Sequence, residues 1–196
     1  LTPRGAGVRD ARLWWKALEK LLARDGKDME AVCATHHWPV WENGAKRCRT
    51  FLEQQRDSYK FLHDQTVRLI NRGYTMLEIA AWFDTEANLP DFMKTLWHNR
   101  GYYGTVSHDV LAIYQKYMGW YYMNPSTLKP LPPEAAAREY VKVMGGEGKV
   151  RSLVRDATES NPRWAAELGR QLVFASPCRE NFDALAGAYE KLGYAC

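Results

Sequence analysis

Two adjacent histidines follow a short apolar segment, and imidazole nitrogen is a common ligand of zinc. Residues 29–34 are typical of a buried strand, and His36 and His37 come just after it, before Trp38 and Pro39. A histidine held at the end of a strand points in a fixed direction, which suits metal binding. The alternative is a pair of loop histidines that packs near Trp38. Since zinc needs three or four ligands, these residues indicate at most part of a metal site.

The other histidines do not complete such a site at the level of sequence. They are His63, His98 and His108, and none has close metal-ligand spacing. The chain also lacks a P-loop, a GxGxxG motif, an HExxH motif and a Ser-His-Asp order. The sequence therefore does not show a complete catalytic or metal centre.

A second segment whose residue types could bind a ligand runs from His98 to His108. Gly101 and Gly104 bracket a pair of tyrosines, and glycine allows a backbone to approach a ligand closely. Arg100 offers a planar guanidinium that suits an oxyanion such as sulfate. The alternative is a tight turn with buried tyrosines, followed by a helix that Ser107 caps. From the residues alone, that turn is the preferred interpretation.

A third segment, residues 114–123, consists largely of aromatic residues and methionine. Such a run could line a channel for an apolar substrate chain, form a contact between subunits, or pack in the core. A core position or a subunit contact is the simpler interpretation, because aromatic side chains are enriched at both.

The elements that must position these segments are mainly helices. Helical spacing of apolar residues predicts a first helix over 8–24 and a long helix from about residue 44 to 71. Three helices are predicted after Gly148, and the last two, 163–175 and 179–192, have the length of a tetratricopeptide unit. The strand at 29–34 has no predicted partner. Because a strand cannot stand alone, its partners are expected outside this chain.

Composition excludes several classes of protein. The chain has 196 residues, 46% of them hydrophobic and 26% charged, which excludes wholesale disorder. No segment approaches the roughly 20 apolar residues of a transmembrane helix. The net charge is only +4, and basic residues form only short groups such as Lys46-Arg47-Cys48-Arg49, so nucleic-acid binding is not expected. The four cysteines are too scattered to indicate a compartment.

Several short sequence segments resemble one family of proteins. They keep the same order along nearly the whole chain. They are Arg4-Gly5-Ala6 with Val8-Arg9-Asp10, Thr35-His36-His37-Trp38-Pro39, Tyr59-Lys60-Phe61-Leu62-His63-Asp64-Gln65-Thr66, Asn99-Arg100-Gly101-Tyr102-Tyr103-Gly104-Thr105-Val106-Ser107-His108, Tyr117-Met118-Gly119-Trp120-Tyr121 and Met144-Gly145-Gly146. These phrases are similar to those of the alkyl sulfatases of the metallo-β-lactamase superfamily. The resemblance implies zinc-dependent hydrolysis of alkyl sulfates, such as dodecyl sulfate, to alcohol and sulfate.

The resemblance also implies a protein longer than this chain. Such enzymes have an αββα domain with two zinc ions, a helical dimerisation domain and a sterol-carrier-like domain. Residues 1–43 resemble the last helix and strand of the αββα domain, and residues 44–196 resemble the dimerisation domain, with a soft boundary near residue 145. The chain begins without Met and is expected to be a fragment or processed product whose missing catalytic segment lies upstream.

Roles carry over from the family to four residues. His36 is similar to a zinc ligand and is preferred to His37, because the superfamily's last ligand follows the strand directly. Arg100, Tyr102 and Tyr103 lie in the family's tyrosine-rich segment, where contact with substrate is expected. No catalytic residue is assigned within this chain, because the remaining zinc ligands and the general acid are expected upstream. The isolated chain is therefore expected to be inactive and to bind no zinc tightly.

The expected assembly is a homodimer with helices 44–72 and 107–122 at or near the interface. The alternative function is a stand-alone helical scaffold or protein-binding module, built around the last two helices. The sequence does not indicate the compartment or the preferred alkyl chain.

Overall fold

A computed structural model describes residues 9–34, 37–41, 43–99, 105–121 and 124–193. Its secondary structure is mainly helical, as the sequence predicts. The chain forms two compact units, Leu1–Asn124 and Pro125–Cys196. The first unit ends before the proline-rich stretch, and the second includes the helix that precedes Gly145. The proposed family boundary near residue 44 and the soft boundary near residue 145 stay predictions.

The first unit contains five α-helices and a β-hairpin among its described residues. The elements are α1 (Ala11–Asp25), β1 (Val32–Ala34), β2 (His37–Val40), α2 (Gly44–Ile70), α3 (Met76–Phe83), α4 (Asp91–Thr95) and α5 (Val106–Met118), with 3-10 turns at Glu86–Asn88 and Trp97–Asn99. The long helix over 44–71 is confirmed. The α4 helix is short, because Leu96 is extended and the chain continues as a 3-10 turn.

Side chains at the helix starts explain several of these boundaries. The Asp10 carboxylate accepts hydrogen bonds from the amides of Arg12 at 2.9 Å and Leu13 at 3.1 Å, which begins α1. Thr75 and Glu78 form a reciprocal capping box at the start of α3. At α5 the cap is Thr105, whose hydroxyl accepts from the His108 amide, so the prediction of Ser107 as cap was wrong.

The core of the first unit forms where α2, α3 and α5 meet. Its buried residues are Ala11, Leu62, Leu69, Ile79, Phe83, Met93, Val110, Ile113 and Tyr114. Those of α2 and α5 recur at helical spacing, which places them on one face of each helix. Burial of these apolar side chains fixes the relative positions of the three helices.

The strand after α1 has a partner within the chain. β1 pairs antiparallel with β2, with Val32 opposite Val40 and Ala34 opposite His37. The expectation that the partners of this strand all lie elsewhere was therefore wrong. Pro39 favoured a loop in the sequence, but proline is tolerated in an edge strand, where its missing amide needs no partner.

The second unit is a four-helix arrangement among the described residues. Its elements are a 3-10 turn at Pro125–Thr127, α6 (Pro133–Val143), α7 (Glu147–Ser160), α8 (Pro162–Ala175) and α9 (Arg179–Lys191). The predicted helix pair over 163–175 and 179–192 is confirmed. α8 packs against α6, α7 and α9, and a β-carbon at Gly169 would lie only 3.2 Å from the Leu185 backbone. Glycine therefore permits the close approach of α8 and α9.

A buried asparagine connects three helices of this unit. Asn181 of α9 is 0% exposed, and its amide nitrogen donates to the Ser176 carbonyl at 2.7 Å. Its amide oxygen accepts a hydrogen bond from Arg151 of α7 at 2.8 Å. The Glu147 carboxylate pairs with Arg151 and lies 3.4 Å from the Asn181 nitrogen. The network ties α7 to the connection between α8 and α9.

No helix in the described ranges combines the length and apolar character needed to cross a bilayer.

Candidate functional site

The four residues with predicted roles all lie outside the described residues. They are His36, Arg100, Tyr102 and Tyr103. The alternative ligand, His37, begins β2, where only its backbone is described. The structure does describe neighbouring residues in the sequence, and it brings Val40, after His36, and the turn before Arg100 to one cleft.

The residue before Arg100 is firmly anchored to α2. Asn99 is 8% exposed, and its amide oxygen accepts a hydrogen bond from Gln55 at 2.7 Å. The same Gln55 nitrogen donates to the His98 carbonyl at 3.2 Å. The Asn99 nitrogen donates to the Phe92 carbonyl at 3.1 Å. These bonds fix the point at which the predicted substrate-binding segment begins.

The far side of that segment is fixed by the start of α5. Thr105 caps this helix, and its hydroxyl also lies 2.8 Å from the His108 ring nitrogen Nδ1. Asn99, which is bonded to α2, and Thr105, which caps α5, are therefore both held in place.

A cleft of about 600 Å³ lies beside these anchors. Its lining residues come from β2, the first turns of α2 and the turn before Arg100, and they are Val40, Asn43, Lys46, Arg47, Thr50, Phe51, Gln54, Leu96, Trp97 and His98. The strand that follows His36 and the turn that precedes Arg100 therefore line the same cavity.

Aromatic rings form part of the cleft wall. The rings of Phe51 and His98 lie 5.0 Å apart, and those of Trp97 and His98 lie 5.5 Å apart in perpendicular orientation. The His98 nitrogen Nε2 is 2.8 Å from the Gln54 amide oxygen, which holds the imidazole against α2. This arrangement can enclose an apolar group, while Lys46 and Arg47 supply positive charge.

Sequence reasoning assigned no role to these lining residues. The group Lys46-Arg47-Cys48-Arg49 was too short to suggest a nucleic-acid surface, and no other interpretation was given to it. A signal was available, since Arg47, Phe51 and Gln54 follow the spacing of one helix face. Only the fold brings that face against Trp97.

A polar network connects α2 to the last turn of α5. The His63 ring lies 2.7 Å from Asp64 through Nδ1 and 2.7 Å from the Tyr117 hydroxyl through Nε2. Lys60 also pairs with Asp64. Burial acts to raise the pKa of Asp64, but hydrogen bonds from Lys60 and His63 hold it below its usual value. This network fixes Tyr117, at the beginning of the run Tyr117-Met118-Gly119-Trp120-Tyr121.

Asp109 on α5 carries a partly buried carboxyl group. Burial raises the pKa of this carboxyl to about 6. Burial also raises the pKa of Tyr59, and the charge of Asp109 raises it further. An ionised carboxylate at this position therefore lowers the stability of the fold.

We expect Asp109→Asn to stabilise the chain in a pH-dependent way. A raised folded-state pKa stabilises the fold below the unfolded pKa of 3.8, and that contribution is lost as the pH rises through about 6. The free energy of unfolding of the variant should equal that of the original chain near pH 4. At pH 8 it should be higher than that of the original chain by about 3 kcal/mol. Urea unfolding at both pH values measures this, with exposed Asp28→Asn as control. An equal gain at both pH values would contradict it.

The described residues do not fit a zinc centre. Within the ranges that the structure covers, no three His, Cys, Asp or Glu side chains converge in a way that could hold a metal ion. A zinc site that uses His36 therefore requires ligands other than the described side chains, and no reaction step is derived through a metal.

Comparison with known proteins identifies what the chain is similar to. The alkyl/aryl-sulfatase BDS1 of Saccharomyces cerevisiae is 44% identical over 193 residues, which is 97% of this chain and 29% of that protein. An (R)-specific secondary-alkylsulfatase of Pseudomonas sp. is 42% identical over 196 residues, covering 99% of this chain and 29% of that protein. The chain thus spans less than a third of the length of these relatives.

A solved structure that is similar to this chain is also that of an alkylsulfatase. The stereoselective inverting sec-alkylsulfatase Pisa1 from Pseudomonas sp. matches with a TM-score of 0.92 and 41% identity, over 99% of this chain and 30% of that one. The sequence profile described as alkyl sulfatase dimerisation matches residues 75–196. That match covers more than half of the chain, which therefore belongs to the alkyl sulfatase dimerisation family.

Proposed function

We propose that this chain is part of a zinc-dependent alkyl sulfatase of the metallo-β-lactamase superfamily. The enzyme hydrolyses linear alkyl sulfate esters of the dodecyl sulfate type to an alcohol and sulfate, a sulfuric ester hydrolysis that degrades detergents. The chain supplies the dimerisation domain and one ligand, His36, of a centre with two zinc ions. Arg100, Tyr102 and Tyr103 contact the substrate.

One observation carries the proposal: 97–99% of the chain is similar, at 42–44% identity, to enzymes named for the cleavage of alkyl sulfates. The geometry supports it. The cleft between β2 and the turn at Trp97–Asn99 lies between the sequence neighbours of His36 and those of Arg100. A substrate that contacts both His36 and the segment that begins at Arg100 would lie next to this cleft.

The test compares two polypeptides. A longer protein that contains this chain and the remaining ligands should hydrolyse dodecyl sulfate and lose that activity when a chelator removes zinc. The 196-residue chain by itself should give no turnover above the blank and no stoichiometric zinc by elemental analysis. Turnover or stoichiometric zinc in the short chain would contradict the assignment of the missing ligands to another segment. A longer protein that is inactive when zinc-loaded would contradict the function.

The proposed assembly is a homodimer formed through α2 and α5. The match to a family described as alkyl sulfatase dimerisation supports a dimer, and the matched residues 75–196 include α5. Exposed aromatic rings at the end of α5 support it as well, because Trp120 is 69% exposed and Tyr117 is 46% exposed. Sedimentation equilibrium at micromolar concentration should give twice the 22.6-kDa monomer mass. The variant Trp120→Ser should shift the equilibrium toward monomer, whereas the exposed second-unit variant Leu128→Ser should not. A monomeric original chain would contradict the proposal.

A further inference from the structure

A groove of about 800 Å³ runs along the surface of the second unit between α7 and α9, and we call it the α7–α9 groove. One wall consists of residues from successive turns of α7, and they are Glu147, Arg151, Arg155, Thr158 and Glu159. At about 1.5 Å per residue, the span 147–159 is about 18 Å long. That is the length of roughly five or six residues of extended chain. An elongated groove of this kind suits a stretch of peptide better than a compact metabolite.

The middle of the α7 wall is positively charged. Arg151 and Arg155 are one helical turn apart, which separates them by about 6 Å along the helix axis. The two hydrogen bonds of Arg151 among the described residues both use Nη1, at 3.5 Å to Glu147 and 2.8 Å to Asn181. Because Asn181 is 0% exposed, it holds this guanidinium in a fixed position. Arg155 is exposed and forms no hydrogen bond or ion pair within the described ranges, so its charge is available to a ligand.

The α9 wall carries the opposite charge. Glu180 and Asp183 lie one turn apart at the start of α9. Asp183 is 71% exposed at its side chain and pairs with Arg179 at 3.8 Å, so this surface pair holds it only weakly. At the far end of the groove, Glu159 pairs with Lys191, which makes that end neutral. The two walls therefore attract carboxylates on the α7 side and ammonium or guanidinium groups on the α9 side.

Gly187 opens the α9 wall next to Ala184. Glycine inside a helix lowers stability relative to alanine. At Gly169 the close contact with Leu185 explains that cost, since a β-carbon there would lie 3.2 Å from the Leu185 backbone. At Gly187 a β-carbon would meet no described atom within 4 Å, so packing within the described residues does not require glycine. The missing side chain allows the backbone of a bound peptide to approach α9.

We propose that the α7–α9 groove binds an extended segment of a partner protein in which acidic and basic residues alternate. In an extended chain successive side chains point to opposite sides, and residues i and i+2 are about 6.6 Å apart. That spacing matches the separation of Arg151 and Arg155, so acidic residues at i and i+2 face α7. The basic residues that alternate with them face Glu180 and Asp183. The binding requires neither zinc nor hydrolysis, so it is independent of the proposed function.

The test uses the 196-residue chain and two fluorescently labelled peptides of equal composition, with both ends blocked. One is Ala-Glu-Lys-Glu-Lys-Ala, in which the charges alternate, and the other is Ala-Glu-Glu-Lys-Lys-Ala, in which they form blocks. Fluorescence anisotropy should show saturable binding of the alternating peptide, with an affinity about fivefold higher than that of the block peptide. Net charge is the same in both peptides, so only the order of the charges can produce this difference.

Two variants and two matched controls locate the binding. Gly187→Leu fills the opening in the α9 wall and should weaken binding of the alternating peptide about tenfold, and Arg155→Gln should weaken it about fivefold. Gly148→Leu, at an α7 glycine that also has open space but does not line the groove, and Arg138→Gln on α6 should bind as the original chain does. Leucine forms helix better than glycine, so the Gly187 variant keeps its fold. Equal affinity for the two peptides, no saturable binding below about 1 mM, or equal effects of the variants and their controls would overturn the inference.

Discussion

Alanine at position 36 is expected to lower dodecyl sulfate turnover by at least about 100-fold in a longer, zinc-loaded protein that contains this chain. The variant should also lose bound zinc, because His36 is proposed as one of the few direct ligands. Outer-shell partners of metal ligands alone are worth roughly 10–100-fold in affinity or activity, and a direct ligand should cost more. Elemental analysis and initial rates on the same preparation measure both effects.

The neighbouring histidine provides the control for this variant. His37→Ala removes the same side chain one position along the chain, so it should keep both zinc and turnover within about twofold. The reverse pattern would assign the ligand to His37, which pairs with Ala34 across the hairpin through its backbone. Full zinc and full turnover in both variants would contradict metal binding at this hairpin.

Loss of the buried Asn181 side chain is expected to destabilise the second unit. Asn181→Ala removes the hydrogen bonds to the Ser176 carbonyl and to Arg151 and leaves a cavity at a position that is 0% exposed. About 1 kcal/mol for each hydrogen bond plus the cost of the cavity gives an expected loss of about 3 kcal/mol. Hydrogen exchange followed by mass spectrometry should show amides of α7–α9 exchanging roughly 100-fold faster, since each 1.4 kcal/mol corresponds to a factor of ten.

The control for this variant lies on the same helix. Asp183 is 71% exposed at its side chain, and its pairing with Arg179 at 3.8 Å lies on the surface. Asp183→Ala should therefore change exchange by less than about twofold in the same amides. Equal protection of α7–α9 in Asn181→Ala and the original chain would show that the Asn181 network contributes little.

Helices were predictable because their signals are local. The pair Thr75 and Glu78 is three residues apart, and each satisfies a backbone or side-chain group of the other. The apolar spacing of α2 likewise lies within one element. β2 was missed because Pro39 favours a loop, and its acceptability depends on a strand edge that the sequence does not reveal.

The cleft was not predictable, because it depends on contacts between distant residues. Gln55 and Asn99 are 44 positions apart, and so are Gln54 and His98. His63 and Tyr117 are separated by 54 positions. Helical spacing places Arg47 and Phe51 on one face of α2, but it does not state what that face meets. The turn at Trp97–Asn99 becomes part of the cleft only after α2 and the hairpin have packed.

The length of α2 has a consequence for how such a protein can diversify. At about 1.5 Å per residue its 27 residues extend about 40 Å, and the main hydrophobic cluster contacts it only from Phe61 onward. Lys46 and Arg47 lie at the opposite end of α2. Substitutions in the first turns of α2 can therefore change the lining of the cleft without removing a side chain from this cluster, because no residue belongs to both.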